Sequence, residues 1–207
     1  MAQYFSVHPE QPQPRLLKQA AALLQQGGVL AVPTDSSYAL ACQLSDKAAA
    51  DALRRIRQID ERRHLTLLCR DLGELATYAR VDNAQYRLLK RGTPGPFAFI
   101  LQASKEVPRR LSHPQRKTIG LRVPGHRALL ALLELHGAPL LSTTLILPGQ
   151  DAPLSDPLAI RERLGSQIAA VIDAGACPSE PTTVIDLSGE APQILRHGLG
   201  EPSALGL

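Results

Sequence analysis

The sequence predicts one α/β domain built on a mixed sheet. Three observations carry that expectation. The chain is 207 residues long, enough to bury one sizeable core. Strand-like and helix-like runs alternate along it. The alternation is uneven, with several strand-like runs following one another without a helix, which favours a mixed sheet over a strictly doubly wound one.

Taken in order, Leu16, Leu17, Ala20, Leu23 and Leu24 share one helical face, and Gly27-Gly28 ends that helix. Val29 to Val32 reads as a strand. Asp46 opens an alanine- and arginine-rich helix through Arg57, with Ala49, Leu53 and Ile56 on one stripe. Leu65 to Cys69 is a short buried strand, and Asp71 and Asp82 read as caps of two further helices. Phe97 to Leu101 and Thr118 to Val123 are strands. Ala128 to His136 is helical and stops at Gly137. Leu140-Leu141 leads into Ser142, and Ser155 is expected to cap a helix ending near Leu164. Ala169 to Ile172, Val184 to Leu187 and Gln193 to Leu195 close the set as strands, and the Gly/Pro/Ser-containing tail after Gly198 reads as loose.

Composition narrows the class. Hydrophobic residues make up 44% and charged residues 20%, a globular balance. No apolar run reaches the ~20 residues that cross a bilayer, so no membrane association is expected. Met1 to Gln13 lacks the basic-then-apolar pattern of a signal peptide. Cys42, Cys69 and Cys177 are widely spaced and without metal-ligand spacing; Cys42 and Cys69, in apolar strand-like surroundings, read as buried free thiols, and the set suits a cytoplasmic protein. Charge is unevenly spread. Arg54 to Arg127 holds 17 lysines and arginines against 6 aspartates and glutamates, although the whole chain carries only +4. Such a basic stretch attracts nucleotides or RNA. Aromatic residues are only 3%, which argues against a stacking platform for single strands.

Five polar segments interrupt apolar runs at strand ends. They are Pro33 to Leu40, Thr93 to Pro96, Thr118 to Pro124, Ser142 to Thr144, and Pro181 to Asp186 with Ile194 to Gly198. In the third, Thr118, Gly120 and Arg122 share one strand face, opposite Ile119, Leu121 and Val123. An arginine there suits a carboxylate or phosphate, which its planar fork grips with two parallel bonds. Tyr38 reads as a core ring with a satisfied hydroxyl, Asp35 as a turn residue bonding nearby backbone, and His64 and His197 as rim groups. The set holds hydroxyls and arginines but no nucleophile–base pair, no metal cluster and no glycine-rich phosphate loop, so no covalent or acid/base catalytic residue and no protein-bound metal are expected.

In this order the segments resemble the YrdC/YciO family, which includes the threonylcarbamoyl-AMP synthases, and they are closest to its YciO-like branch. The family pattern runs P-T-(D/E)-T-x-Y-G-L, K-x-R-P, P-G-P, R-x-P, S-A-N, P-S-T, R-x-G. Here it stands as Pro33 to Leu40, Arg57-Gln58-Ile59-Asp60, Pro94 to Pro96, Arg122-Val123-Pro124, Thr144-Leu145-Ile146, Pro181-Thr182-Thr183 and Arg196-His197-Gly198. The resemblance spans roughly residues 14 to 200, leaving 1 to 13 and 201 to 207 as terminal extensions. It implies a twisted, open mixed sheet with surrounding helices and a large concave basic cavity.

It further implies synthesis of L-threonylcarbamoyladenylate from L-threonine, bicarbonate and ATP, with Mg²⁺ accompanying the ATP, for a tRNA modification. On that pattern Ser36, Arg122, Ser142 and Thr182 would contact threonine. Arg57, Arg63, Thr118, Thr144 and Arg196 would contact ATP. The chain departs from the pattern at Ile59, Asp60 and Ile146, where arginine, proline and asparagine are usual, and at Ala39, where glycine is usual. These departures fall mainly on the nucleotide end. They keep open a second reading, a tRNA- or double-stranded-RNA-binding or nucleotide-binding relative with little synthase activity.

Overall fold

The computed structural model describes residues 1–207 and consists of ten strands in one sheet with six α-helices around it. In chain order the elements are β1 (Gln3–Ser6), α1 (Pro14–Gln25), β2 (Leu30–Val32), β3 (Ala39–Gln43), α2 (Lys47–Arg57), β4 (Thr66–Leu68), α3 (Leu72–Tyr78) and α4 (Asn83–Gly92). There follow β5 (Phe97–Gln102), β6 (Thr118–Arg122), α5 (Arg127–His136), β7 (Leu140–Thr144), α6 (Pro157–Leu164), β8 (Ala170–Asp173), β9 (Thr183–Asp186) and β10 (Gln193–Arg196). The sheet order is β1-β8-β2-β3-β7-β4-β6-β5-β9-β10, with parallel and antiparallel neighbours mixed, as the uneven alternation predicts.

Local chemistry sets the helix starts. The Asp46 carboxylate accepts from Ala49 N–H at 2.9 Å, Asp71 from Glu74 N–H at 2.7 Å, and Asp82 from Ala84 and Gln85 N–H at 2.8 Å, each satisfying amides that have no partner within the helix. The cap of α6 is Asp156 rather than Ser155: its two oxygens accept from Leu158 and Ala159 N–H at 3.3 and 3.1 Å. Aspartate here offers two acceptors one residue nearer the Pro157 start.

Three further differences from the sequence reading concern the termini and one strand. Residues 1 to 13 are not merely an extension, because β1 pairs in parallel with β8 and buries Phe5. Residues 201 to 207 are not loose, because Pro202–Leu205 forms a 3-10 turn that buries Leu205 completely. Both segments are short and lack a clear hydrophobic period, and each is held by contacts with distant parts of the chain. The run after the Pro33 to Tyr38 turn is the strand β3. Ala39, the usual glycine position, has ordinary extended backbone there and needs no glycine.

Strand alternation divides the sheet into two faces. One face presents Ala31, Leu40, Cys42, Leu67, Phe99, Leu121, Leu141, Val171 and Ile185 to a core that includes Leu53 and Ile56 of α2, Leu75 of α3, Leu89 of α4 and Ile160 of α6. The other face presents Leu30, Val32, Ala41, Leu68, Leu140 and Ile172 to Leu17, Ala20 and Leu24 of α1 and Leu129 and Leu133 of α5. That second helix layer covers only part of its face. Beyond it, the same face continues through Thr66, Gly120, Ala98 and Val184, which line a cleft instead of a core. All three cysteines are buried free thiols. No helix is long and apolar enough to cross a membrane.

Two glycines permit close approach of the chain, one in the cleft floor and one at a crossing beside Thr182. Gly120 pairs with Thr66 across β4 and β6, and a Cβ on it would meet Thr66 Oγ1 at 2.9 Å and Leu65 O at 3.0 Å. At Gly198 a Cβ would stand 2.3 Å from Pro181 O and 2.6 Å from Thr182 C, where the return of the chain after β10 crosses the start of β9. Gly198→Ala is therefore expected to push this crossing apart and cost about 2 kcal/mol, read as a lower urea midpoint with an unchanged m-value.

Candidate active site

The cleft has a narrow inner end and a wide outer end. The narrow end, about 20 Å³, is lined by Ser37, Thr66, Arg122, Ser142, Thr144 and Thr182 among others. It has room for about one water-sized group. The wide end, about 350 Å³, is lined by Arg57, Arg63, His64, Thr144, Ile146, Thr182, Leu195 and Arg196 together with the floor residues Ala98, Ile100, Gly120 and Val184. The two ends share Thr66, Ala98, Thr143, Thr144 and Thr182, so they form one continuous cleft.

The floor of the narrow end is built by the turn between β2 and β3. Thr34 Oγ1 accepts from the N–H groups of Ser36 and Ser37 at 3.0 and 3.1 Å and donates to Ser37 O at 2.6 Å, which folds the turn on itself. Tyr38 anchors the far side as the sequence predicts: its ring is fully buried and its hydroxyl donates to Gly175 O at 2.9 Å. The turn thereby aims Asp35 and Ser36 at Arg122. Arg122 Nη2 donates to Asp35 Oδ1 at 2.5 Å, and Nη1 donates to Ser36 Oγ at 3.1 Å. Its Nε–H is buried without a partner. Asp35 is thus not the locally bonded turn residue expected from the sequence but the counter-ion of the site. Burial lowers the Arg122 pKa from its ordinary value, and the Asp35 carboxylate opposes that shift.

Of the residues assigned to the threonine end, Arg122, Ser142 and Thr182 line the cleft, and Ser142 Oγ donates to Thr66 O at 2.9 Å. Ser36 is 1% exposed and stands behind Arg122, bonded to it and to Thr34. The two terminal nitrogens of Arg122 are already engaged, so a two-pronged grip on a ligand carboxylate requires one of these bonds to be exchanged.

At the wide end Arg57, Arg63, Thr144 and Arg196 line the cleft together. Arg196 Nε and Nη2 donate to Thr182 O and Oγ1, each at 2.9 Å, fixing the guanidinium of β10 against the start of β9. Arg57 is 8% exposed, and its Nε–H is buried without a partner. Burial and the nearby Arg63 push its pKa down to about 10, so it remains a cation at neutral pH. Arg196 is lowered by burial and then by Arg63 and Arg122. None of these three arginines has a salt-bridge partner, and no aspartate or glutamate lines either end. Three uncompensated cations facing one cavity make an anion site.

Arg63 reaches this place through a local device. Gln58 ends α2 in the left-handed region, and Asp60 Oδ1 accepts from the N–H groups of Arg62 and Arg63 at 3.0 and 3.1 Å. Arg54 of α2 clasps the same turn by donating to Asp60 O and, at 3.3 Å, to Arg63 O. Ile59 packs against the core, and Ile146 faces the cavity.

Thr118, assigned to ATP, lines neither end. It is fully buried, with its hydroxyl 2.7 Å from His64 Nε2. His64 is the residue that faces the cavity, and its ring stacks on His113 at 5.1 Å between centroids. Burial, followed by His113 and Arg116, pushes its pKa down to about 4, against a smaller opposing pull from Asp186. Asp35, Thr66, Thr143 and His64 are residues of the site to which the sequence reading gave no ligand role. Thr143 and Asp35 lay within polar segments it singled out and His64 was read as a rim group, whereas Thr66 is marked only by the period-two pattern of β4.

With the geometry in place, comparison with known proteins fixes the class. The family profile for Sua5, YciO and YrdC, described as "Telomere recombination", matches residues 22–198. The chain belongs to that family. It is 49% identical over 201 residues to the uncharacterized protein YciO of Escherichia coli K12, covering 97% of this chain and 98% of that one. The crystal structure of E. coli YciO superposes with a TM-score of 0.96 over 99% of this chain and 100% of that chain. The threonylcarbamoyl-AMP synthase of Mus musculus is 31% identical over 179 residues, covering 83% of this chain and 62% of the longer relative. The structure of P. abyssi Sua5 complexed with L-threonine is 26% identical with a TM-score of 0.86, over 94% of this chain and 57% of that chain.

Two outcomes follow. Asp35→Ala strands a buried guanidinium and is expected to cost about 3 kcal/mol in urea unfolding, whereas Arg122→Met costs less and the double variant falls short of the sum of the two. For His64, the unfolded chain takes up a proton near pH 6.5 and the folded chain only near 4, so the unfolded state holds more protons between these values. Its contribution to stability is present above 6.5 and is lost as pH falls through that window. His64→Asn is expected to flatten the fall in thermal midpoint between pH 7 and 4.

Proposed function

We propose that this chain binds an amino acid and a nucleotide in the one cleft and joins them through a carbamate, in the manner of a threonylcarbamoyl-AMP synthase. The observation that carries the reading is the set of cations in the cleft. Arg57, Arg63 and Arg196 line the wide end with no carboxylate partner, and Arg122 lines the narrow end. Carboxylate and phosphate oxygens gain charge-assisted hydrogen bonds from such guanidinium groups. The threonine bound to P. abyssi Sua5 supports an amino acid as one ligand, and the mouse synthase supports the reaction class.

In this reading the carboxylate of L-threonine sits where the two ends meet, one oxygen reaching into the narrow end toward Arg122 and the hydroxyls of Ser142 and Thr182. The threonine amine and bicarbonate give a carbamate with loss of water. A carbamate oxygen then attacks the α-phosphorus of ATP, and the bond to pyrophosphate breaks. Arg57, Arg63 and Arg196 hold the phosphates and offset the charge on the departing pyrophosphate. Rate enhancement comes from positioning and charge neutralisation, without a covalent intermediate on the protein. No group of aspartate, glutamate, histidine or cysteine side chains is arranged to hold a metal. The protein donors thus do not fit a resident Mg²⁺, and an ion accompanying ATP would be held by the phosphate oxygens.

Ile59 and Ile146 favour a second reading, binding of nucleotide or RNA without efficient turnover. Ile59 is directed into the core and Ile146 adds an apolar surface to the wide cavity, so neither supplies the polar contact usual at its place in the family.

Calorimetry with ATP and L-threonine, followed by a pyrophosphate-release assay with bicarbonate, separates the two readings. The synthase reading expects joint binding and release above background. Arg196→Met is expected to weaken ATP roughly tenfold or more while leaving threonine affinity unchanged, and Arg122→Met is expected to do the reverse. Joint binding without release sustains the second reading, and no binding of either ligand removes both.

A further inference from the structure

His64 is placed in the cleft in a way that the reaction chemistry does not use. It follows Arg63, lines the wide end, and has its polar edge divided between two environments. Nε2 faces the Thr118 hydroxyl at 2.7 Å. Thr118 is 0% exposed, and His64 is the sole hydrogen-bond partner of its hydroxyl. That arrangement favours one assignment of the proton positions. A hydroxyl carries one hydrogen, and a buried one is better satisfied when it gives that hydrogen to an acceptor. The acceptor at hand is His64 Nε2, which is unprotonated in that assignment. A neutral imidazole carries its hydrogen on the other nitrogen, so His64 holds an Nδ1–H.

The neighbours enforce the same state. His113 stacks on the ring, and its own Nδ1 is committed as the acceptor of Gln115 and Arg116 N–H at 3.3 and 3.2 Å. Arg116 is turned to Asp186 and to Ser188, so the nearby carboxylate is compensated by an arginine, and its pull on His64 is the smallest of the influences on the ring. Burial, together with the charge of Arg116, favours the neutral ring. The Nδ1–H is the one polar group of the ring with no partner in the protein.

We propose that His64 is a neutral hydrogen-bond donor to a phosphate oxygen of the ligand in the wide end, and that Thr118 acts as its positioning residue by locking the Nδ1–H tautomer. This rests on the nucleotide reading of the wide end and adds a donor to it. It also gives Thr118 a role through another side chain rather than as a ligand contact. A neutral donor among Arg57, Arg63 and Arg196 orients a phosphate without adding a further charge to an already uncompensated cluster.

The tautomer is directly observable by long-range ¹H–¹⁵N correlation on the unaltered protein, and needs no variant that could fail to fold. The expected spectrum shows His64 protonated at Nδ1, unchanged from pH 8 to 5.5, with the Nδ1–H resonance shifting on addition of pyrophosphate and not of adenosine. Thr118→Val is expected to release the tautomer, and Thr118→Ser to restore it. In calorimetry His64→Leu is expected to weaken ATP by about tenfold. His64→Asn, whose amide places a donor near the Nδ1 position, is expected to recover most of that loss. An Nε2-protonated ring, or unchanged ATP affinity in His64→Leu, overturns the proposal. A resonance moved by adenosine and not by pyrophosphate overturns the phosphate assignment. Failure of the unaltered chain to bind ATP overturns the nucleotide reading alone, and the pyrophosphate titration then still decides the role of His64: an unmoved resonance rejects it.

Discussion

Everything at the narrow end depends on one buried charge and the carboxylate that compensates it. Arg122 projects from the last position of β6 into a space with almost no solvent, and Asp35 reaches it from the turn after β2, 87 residues earlier in the chain. Desolvating a guanidinium is costly, and a buried ion pair repays that cost only with good geometry and further hydrogen bonds. Ser36 supplies one such bond, while Thr34 and Tyr38 hold the turn that delivers both residues. An apolar pair of the same volume would serve stability as well or better. The ion pair is therefore more readily explained by what it presents to a ligand than by what it adds to the core.

The same sheet shows how a binding surface arises from incomplete coverage. Alternation along the strands makes both faces of the sheet largely apolar, but α1 and α5 reach only part of one of them. Where the helices stop, that face changes composition to Thr66, Gly120, Ser142, Thr144 and Arg122. The cleft is the uncovered remainder: strands floor its wide end, and the turn between β2 and β3 closes its narrow end.

Much of this was legible in the sequence where the cause is local. Three aspartate caps, the division of Thr118, Gly120 and Arg122 from Ile119 and Leu121, and the family motifs all depend on residues within a few positions of one another. Asp35 was misread because its partner is distant in sequence, and local turn chemistry accounts for an aspartate equally well. His64 and Thr118 are separated by 54 positions and meet only through the register of β4 with β6. β1 and the terminal 3-10 turn lack patterning because the sheet and core that order them lie elsewhere in the chain. The departures at Ile59 and Asp60 looked like losses, yet Asp60 organises the turn that carries Arg63 to the cavity.

Arg196 belongs to β10, which has four residues, a single neighbour and a shift of register before its last position. An outermost strand of that kind is the first part of a sheet to open, since each of its bonds is made on one side only. The outer wall of the cavity is thus its least cooperative element, while the floor is its most cooperative one. A ligand bridging Arg57 to Arg196 would act as an additional cross-link between the sheet's interior and its margin. Occupancy of the cleft and tightness of that margin become a single equilibrium, in which the filled protein is the more closed one.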